Sequence, residues 1–216
     1  MRLIKIKGLK FSYPYGKRIF NGLNFVLHKG EKIGLTGPNG SGKTTLFHLI
    51  MGLLKPEAGE IKIFGKIRKK EEDFFEVRRK FGLLFQDADD QLFCPTVEEN
   101  IAFGPLNLGK TKKEVKKIVR ETCEKLGLIG LENKVTTKLS SGEKKLVAFS
   151  TVIAMKPEVL LLDEPNAGLD EETTKRILAY LKENTKTYII IAQDYDFLKK
   201  ATDRIYRLTN SKLEPL

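Results

Sequence analysis

Hydrophobic and polar positions alternate over much of the first 35 residues. "RLIKIKGLKFSY" (2–13) and "IFNGLNFVLH" (19–28) are rich in β-branched and aromatic residues, with Gly and Asn at the turns, and predict short strands. "KIGLT", Lys32 to Thr36, predicts a third strand that runs into a glycine-rich loop. The period then changes. In "TTLFHLIMGLL" Leu46, Leu49, Ile50 and Leu53 share one helical face, and Lys55-Pro56 is expected to end that helix. "GEIKIFG" reads as a further strand. Past Phe85 the pattern is helical. Lys112 to Leu126 predicts an amphipathic helix behind a Thr111 N-cap, its stripe made of Val115, Ile118, Val119, Thr122 and Leu126. Leu146 to Met155 predicts a second, more apolar helix. Alternation of strand and helix returns with "VLLL", "EETTKRILAYLKEN" and "YIIIA". These switches predict an α/β core with a helical insert at about 87–141, all within a single domain spanning 1–216.

Composition narrows the class. The 216 residues are 41% hydrophobic and 31% charged, which suits a folded chain and not a disordered one. No apolar run approaches the about 20 residues of a membrane span, and the start lacks the apolar stretch of a signal peptide. Cys94 and Cys123 have no metal-ligand spacing and read as reduced thiols of a cytoplasmic protein. The net charge of +11 is spread over segments such as "GKIRKKEED" and "TKKEVKKIVRE", so it reads as solvated helix faces. No nucleic-acid-binding motif accompanies it, and no nucleic-acid partner is expected.

Two motifs carry chemistry. "GPNGSGKT", from Gly37 through Pro38, Asn39, Gly40, Ser41, Gly42 and Lys43 to Thr44, matches the P-loop pattern and is followed by Thr45. It follows a strand and opens a helix, so backbone N–H groups and the helix start can surround phosphates. Lys43 is suited to the β- and γ-phosphates of ATP, and Thr44 to Mg²⁺. "VLLLDEP" is an apolar strand that ends in two acids, and buried carboxylates are costly unless they meet a cation or a proton donor. Beside a P-loop, Asp163 suits the outer sphere of Mg²⁺ and Glu164 suits polarising a water for attack on the γ-phosphate. The competing reading of the pair is two capping acids at a strand end.

With these motifs in place the chain resembles the nucleotide-binding subunits of ABC transporters over essentially its whole length. The resemblance implies a P-loop NTPase fold with a RecA-like core, an N-terminal antiparallel β subdomain and an inserted α-helical subdomain. "LSSGEKK", Leu139 to Lys145, stands where that family carries its LSGGQ signature, just before a helix. The family uses it in trans, closing it over ATP held by a second subunit. Ser140 and Gly142 match; Ser141 replaces a Gly and Glu143 a Gln, and each change is expected to weaken the clamp. Tyr13 is similar to the aromatic that stacks on adenine, in preference to Tyr15; the competing reading for either is a turn-packing tyrosine. Gln86 resembles the glutamine that reaches Mg²⁺ or the attacking water, and "NAGLD" resembles the loop that puts Asp170 near a dimer interface.

"FQDADDQLFCPTVEENIAFGPLNLG", Phe85 to Gly109, is similar to the ATPases of energy-coupling-factor transporters, which import vitamins or transition metals such as cobalt. That resemblance implies a transmembrane coupling protein as partner, with Asp87, Asp89 and Asp90 facing basic ends of its helices. It also implies a peripheral place on the cytoplasmic face of the cell membrane. Many members of this group carry a longer C-terminal extension that helps them dimerise. The stop at "NSKLEPL" therefore sets the expectation of a dimer that is not permanent.

The stretch "TYIIIAQDYDF" holds the main departure. The family places a switch histidine after this strand, and here Gln193 takes that place. An amide can donate to a phosphate oxygen but cannot carry charge or shuttle a proton. With Glu164 retained, a slow ATPase is expected. His28 and His48 are read as structural. The overall expectation is an ATPase subunit of an energy-coupling-factor-type importer, working as a homo- or heterodimer that sandwiches Mg-ATP. The alternatives are a soluble ATPase of the same family acting on nucleic acid or ribosomes, or the low-activity half of a heterodimeric transporter.

Overall fold

A computed structural model describes all 216 residues. The alternating N-terminal segments form β1 (Arg2–Ser12) and β2 (Arg18–His28), paired antiparallel. Together with β4 (Ala58–Ile63) and β5 (Lys66–Ile67) they make a four-stranded antiparallel sheet in the order β2-β1-β4-β5. A second sheet has six strands, and β3 (Lys32–Thr36) lies inside it. Its neighbours are β6 (Phe81–Leu84), β7 (Val159–Asp163), β8 (Tyr188–Ile191), β9 (Arg204–Thr209) and β10 (Lys212–Pro215), in the order β10-β9-β3-β8-β7-β6. All neighbours are parallel except β10, which closes a hairpin on β9.

Side-chain alternation along the strands divides the interior in two. Val159, Leu161, Ile189 and Ile191 join a core between the two sheets, together with helix α1 (Lys43–Ile50). Leu160, Leu162, Tyr188 and Ile190 join the other core. That second core also takes in α3 (Val97–Asn107), α4 (Lys112–Leu126), α5 (Ser141–Ala154), α6 (Glu171–Asn184) and α7 (Tyr195–Ala201). Strand parity then decides where the chemistry goes. Asp163 continues the row of Val159 and Leu161, and Gln193 that of Ile189 and Ile191, so both belong to the side of the sheet that carries α1.

Two helix boundaries differ from the sequence expectation. Helix α1 ends at Ile50, not at Lys55-Pro56. Gly52 takes a left-handed backbone, the Leu53 N–H donates to the His48 carbonyl (2.8 Å) and the Gly52 N–H to the Leu49 carbonyl (3.2 Å). This double closure terminates the helix and leaves Leu53 half exposed instead of on the buried face. Helix α5 begins at Ser141, not at Leu146, because Ser140 and Glu143 cap its start reciprocally. The signature segment is therefore the first turn of the helix and does not precede it. Helices α2 (Glu71–Lys80) and α7 and strands β5, β6, β9 and β10 have no counterpart in the sequence expectation, while α3 falls inside the expected helical insert without a range of its own.

Candidate functional site

Helix α1 starts unlike most of the helices after it. Its N-cap is Gly42, no side chain caps it, and its first turn contains no acid. Helices α3, α4, α5, α6 and α7 all have a side-chain cap from Thr, Ser or Asp. The free N–H groups and partial positive charge of α1 are left for an anion. The loop before it depends on glycine. Gly37 has φ 142°, and a Cβ there would lie 2.4 Å from the Leu208 carbonyl oxygen. At Gly42, with φ 98°, a Cβ would strike Ile19 and Phe20.

Lys43 is buried, and its ammonium donates to the carbonyls of Gly37 (2.8 Å) and Pro38 (3.1 Å). Burial lowers its pKa, opposed by the charges of Glu164 and Asp163. One residue on, the Thr44 hydroxyl donates to Oδ2 of Asp163 at 2.5 Å. Asp163 is almost fully buried and its Oδ1 has no hydrogen-bond partner. Burial raises its pKa, with the Thr44 hydrogen bond pulling the other way. Ser41 Oγ in the loop is likewise buried and unpartnered.

Glu164 comes just after the strand end with φ 47°, a conformation that costs a non-glycine residue of the order of 1 kcal/mol or more. It is held there by its own N–H, which donates to the Ile191 carbonyl at 2.9 Å, and by the Gln193 N–H, which donates to its Oε2 at 3.3 Å. Burial raises its pKa, while the Gln193 hydrogen bond lowers it. The Gln193 amide reaches the other way, donating to the Gly37 carbonyl (3.4 Å) and Asn39 Oδ1 (3.3 Å). The strand order explains this bridge. β8 lies between β3 and β7, so the residue beyond its end sits between the P-loop and the two acids.

A cleft of about 360 Å³ gathers Tyr13, Asn39, Gly40, Gly42, Lys43, Thr44, Thr45, Gln86, Asp163, Glu164 and Gln193, together with Ile19 and Ile191. Tyr13 is partly exposed and its hydroxyl shares a hydrogen bond with Thr45 Oγ1 at 3.1 Å. Tyr15 is fully exposed and outside the cleft. Gln86 lies at its rim, its carbonyl receiving the ammonium of Lys145 from α5. The signature residues Ser140, Ser141, Gly142 and Glu143 do not line this cleft. Ser141 instead opens on a neighbouring groove of about 710 Å³ that also touches Thr44, His48 and Gln86. A groove of about 590 Å³ between β4 and α2 contains none of the predicted residues.

Three contacts of the site have no mark in the sequence, although Lys145 and Asn166 lie inside the quoted motifs. Buried Lys145 ties the signature helix to Gln86. Lys134 pairs with Glu143 at 2.9 and 3.0 Å. Asn166 donates to Asp194 at 3.3 Å, linking the segment after Glu164 to the one after Gln193. Long side chains that cross between loops leave no local signal; only the Ser140-x-x-Glu143 spacing was there to be read. Of the three acids expected to face a partner, Asp89 is already paired with Lys144 at 2.6 Å, and Asp87 Oδ1 accepts the Asp89 N–H at 2.9 Å. Asp170 caps α6 through the Thr173 N–H and hydroxyl.

Comparison with known proteins places this arrangement. The ABC transporter family model matches residues 20–167. The energy-coupling factor transporter ATP-binding protein EcfA of Methanocaldococcus jannaschii is 45% identical, over 99% of this chain and 78% of that protein. The protein of the same name from Methanothermobacter thermautotrophicus is 42% identical, over 98% of this chain and 69% of its own length. Among solved structures, cbiO1 from Clostridium perfringens, part of the ABC transporter complex cbiONQ, superposes with a TM-score of 0.85 at 34% identity, covering 98% of this chain and 86% of its own. A dimeric ATP-binding cassette in a post-hydrolysis state bound to ADP and Pi gives 0.90 at 26% identity, covering 98% and 97%. The chain belongs to the ABC transporter family of ATPases, in the group of energy-coupling factor ATP-binding proteins.

Proposed function

We propose that this chain hydrolyses ATP to drive an importer of the energy-coupling-factor type, for a transition metal or a vitamin. It does so as a nucleotide-sandwich dimer docked on a transmembrane coupling protein at the cytoplasmic face of the membrane. The observation that carries this reading is the single cleft in which an uncapped helix start, Lys43, the buried Asp163, the partly buried Glu164 and Gln193 meet.

Within that cleft Tyr13 offers a ring for the adenine and the P-loop N–H groups surround the phosphates. Lys43 exchanges its two carbonyl acceptors for phosphate oxygens. The Thr44 hydroxyl, with Asp163 behind it and its Oδ1 buried and unpartnered, is hard-donor chemistry that fits Mg²⁺; these residues would hold the ion, Asp163 from the outer sphere, with Gln86 at the rim as a further oxygen donor. When bound, the ion supplies positive charge to the β- and γ-phosphates. Glu164 accepts a hydrogen bond from the attacking water. The water oxygen bonds to the γ-phosphorus as the bond to the bridging oxygen breaks, ADP takes that electron pair, and the water proton leaves towards Glu164. Gln193 spans the gap between Glu164 and the P-loop, which supports a role for its amide at the γ-phosphate.

The signature residues do not line this chain's own cleft, and only Ser141 reaches the neighbouring groove, which supports their use on ATP held by a second subunit. Gly142 adds weight. Its φ is not left-handed, and a Cβ there would meet only Leu169, at an ordinary 3.7 Å. Nothing within the chain needs glycine at this place in a helix, so the bare position suits an approach from outside. For the membrane partner, the segment beyond Gln86 exposes Phe93 and Phe103, packed edge to face at 4.7 Å, together with Leu106. No helix is long and apolar enough to cross a membrane.

The test is purification from its own cells without detergent stripping. Recovery with an integral membrane protein and Mg-dependent ATPase activity is expected; recovery with RNA or DNA would contradict the proposal. Gln193 in place of histidine favours one second reading, a slow half of a heterodimer. In that case the isolated chain stays slow until its partner ATPase is added.

A further inference from the structure

Glu143 lies in the first turn of α5, beside the N–H groups of Ser141 and Gly142. A free carboxylate there would repel a phosphate that the helix start attracts. The carboxylate is not free. Its Oε2 accepts the Ser140 N–H at 2.7 Å, and the Lys134 ammonium donates to both oxygens at 2.9 and 3.0 Å. About two thirds of each side chain is withdrawn from solvent, at 34% and 30% exposure. Together these contacts, the Lys134 ammonium first, hold the Glu143 carboxyl below its usual range.

Lys134 is itself fixed by its backbone. Its N–H donates to the Leu131 carbonyl (2.9 Å), and its carbonyl accepts from the N–H of Val97, the first residue of α3 (3.2 Å). The next residue, Val135, pairs with Thr96. The ammonium is therefore presented to Glu143 from a loop pinned to the start of another helix.

We propose that Lys134 is a positioning residue for the signature: it folds Glu143 back onto the start of α5 and cancels its charge, so that this helix start can meet the triphosphate bound by a second copy of the chain. The proposal rests on Ser140–Glu143 being the signature that acts in trans. On this proposal a glutamate at 143 need not weaken the clamp, because the chain supplies the compensating cation itself.

The experiment uses the full chain carrying Glu164→Gln, which is expected to retain ATP. Lys134→Met and Glu143→Gln are added singly and together. Sedimentation velocity reads the ATP concentration for half-maximal dimerisation. Equilibrium titration at low protein concentration reads ATP affinity of the monomer. Lys134→Met is expected to raise the ATP needed for dimerisation about five- to tenfold, leaving monomer affinity unchanged. With Glu143→Gln also present, dimerisation should return to within about twofold of Glu143→Gln alone, since no charge is left to cancel. Unchanged dimerisation in Lys134→Met, or a defect that persists in the double variant, overturns the proposal. So does an equal loss of monomer affinity, which marks the pair as a structural brace. A Glu164→Gln parent that stays monomeric in ATP overturns the trans signature itself, and the proposal with it.

Discussion

The backbone N–H of Gln193 donates to the carboxylate of Glu164 at 3.3 Å, while the side-chain amide of the same residue reaches the P-loop at Gly37 and Asn39. One residue therefore steadies the acid with its backbone and leaves its side chain for the phosphate side of the cleft. Any residue at 193 other than proline can keep the first contact, because the donor belongs to the main chain.

Gln193→His is therefore expected to raise kcat without dislodging Glu164. An imidazole adds a stronger, chargeable donor at the γ-phosphate, and a charge-assisted hydrogen bond differs from a neutral one by about 1 kcal/mol, roughly fivefold in rate. The gain should fall on kcat and not on KM, since P-loop contacts dominate ground-state binding. Steady-state kinetics of the two proteins decides it. A slower histidine variant would mean that the geometry is built around the amide.

Lys43→Ala is expected to abolish tight ATP binding. The ammonium is buried and is the mobile cation beside the loop that would hold the phosphates. Loss of one buried charge–phosphate contact should weaken affinity by about 2–4 kcal/mol, or more than tenfold. Titration with nucleotide in the presence of Mg²⁺ measures it.

Burial raises the pKa values of both Asp163 and Glu164. Catalysis needs Glu164 ionised, so the acid limb of the kcat profile should lie above the ordinary carboxylate range of about 4. Stability runs in the opposite sense. In the window between the ordinary and raised values the folded state holds more protons than the unfolded state, so unfolding free energy falls as pH rises through it. Asp163→Asn removes one such group. It is expected to raise the melting temperature of the nucleotide-free protein at neutral pH, a gain of about 1 kcal/mol, while reducing ATPase activity to background. Calorimetry against pH, with and without the substitution, tests both signs.

Gly37→Ala should impair the protein before any ligand is added. A methyl group 2.4 Å from the Leu208 carbonyl oxygen forces the loop away from β9, and φ 142° is itself closed to alanine. A loss of about 2–3 kcal/mol in stability is expected, together with lost nucleotide binding. Gly40→Ala, where a Cβ meets nothing within 4 Å, should keep the fold better despite its left-handed backbone. Thermal unfolding of the two variants makes the comparison.

Much of this site was legible because phosphate chemistry leaves local marks. "GPNGSGKT" and "VLLLDEP" each mark a strand end and the turn beyond it. The face that Asp163 takes is not marked, because Val159 to Leu162 is an unbroken apolar run and all five residues of β7 are buried. The hidden part is non-local. That β8 inserts between β3 and β7, and so makes Gln193 the bridge, is a matter of strand pairing across more than a hundred residues. The same holds for Lys145 on the Gln86 carbonyl and Lys134 on Glu143. The misplaced helix ends were different, since their signals were present. Gly52 after "LIM" and the Ser140-x-x-Glu143 cap are short-range marks, and the apolar periodicity ran past the first and began after the second.

The most direct measurement is single-turnover and steady-state ATP hydrolysis by Glu164→Gln, with nucleotide binding and assembly followed in the same samples. If Glu164 polarises the attacking water, the amide should retain ATP, reduce turnover by about a thousandfold or more, and accumulate an ATP-bound dimer visible by size-exclusion chromatography. Wild-type turnover in this variant would contradict the account, because the one carboxylate that Gln193 holds at the mouth of the cleft would then have no part in the reaction.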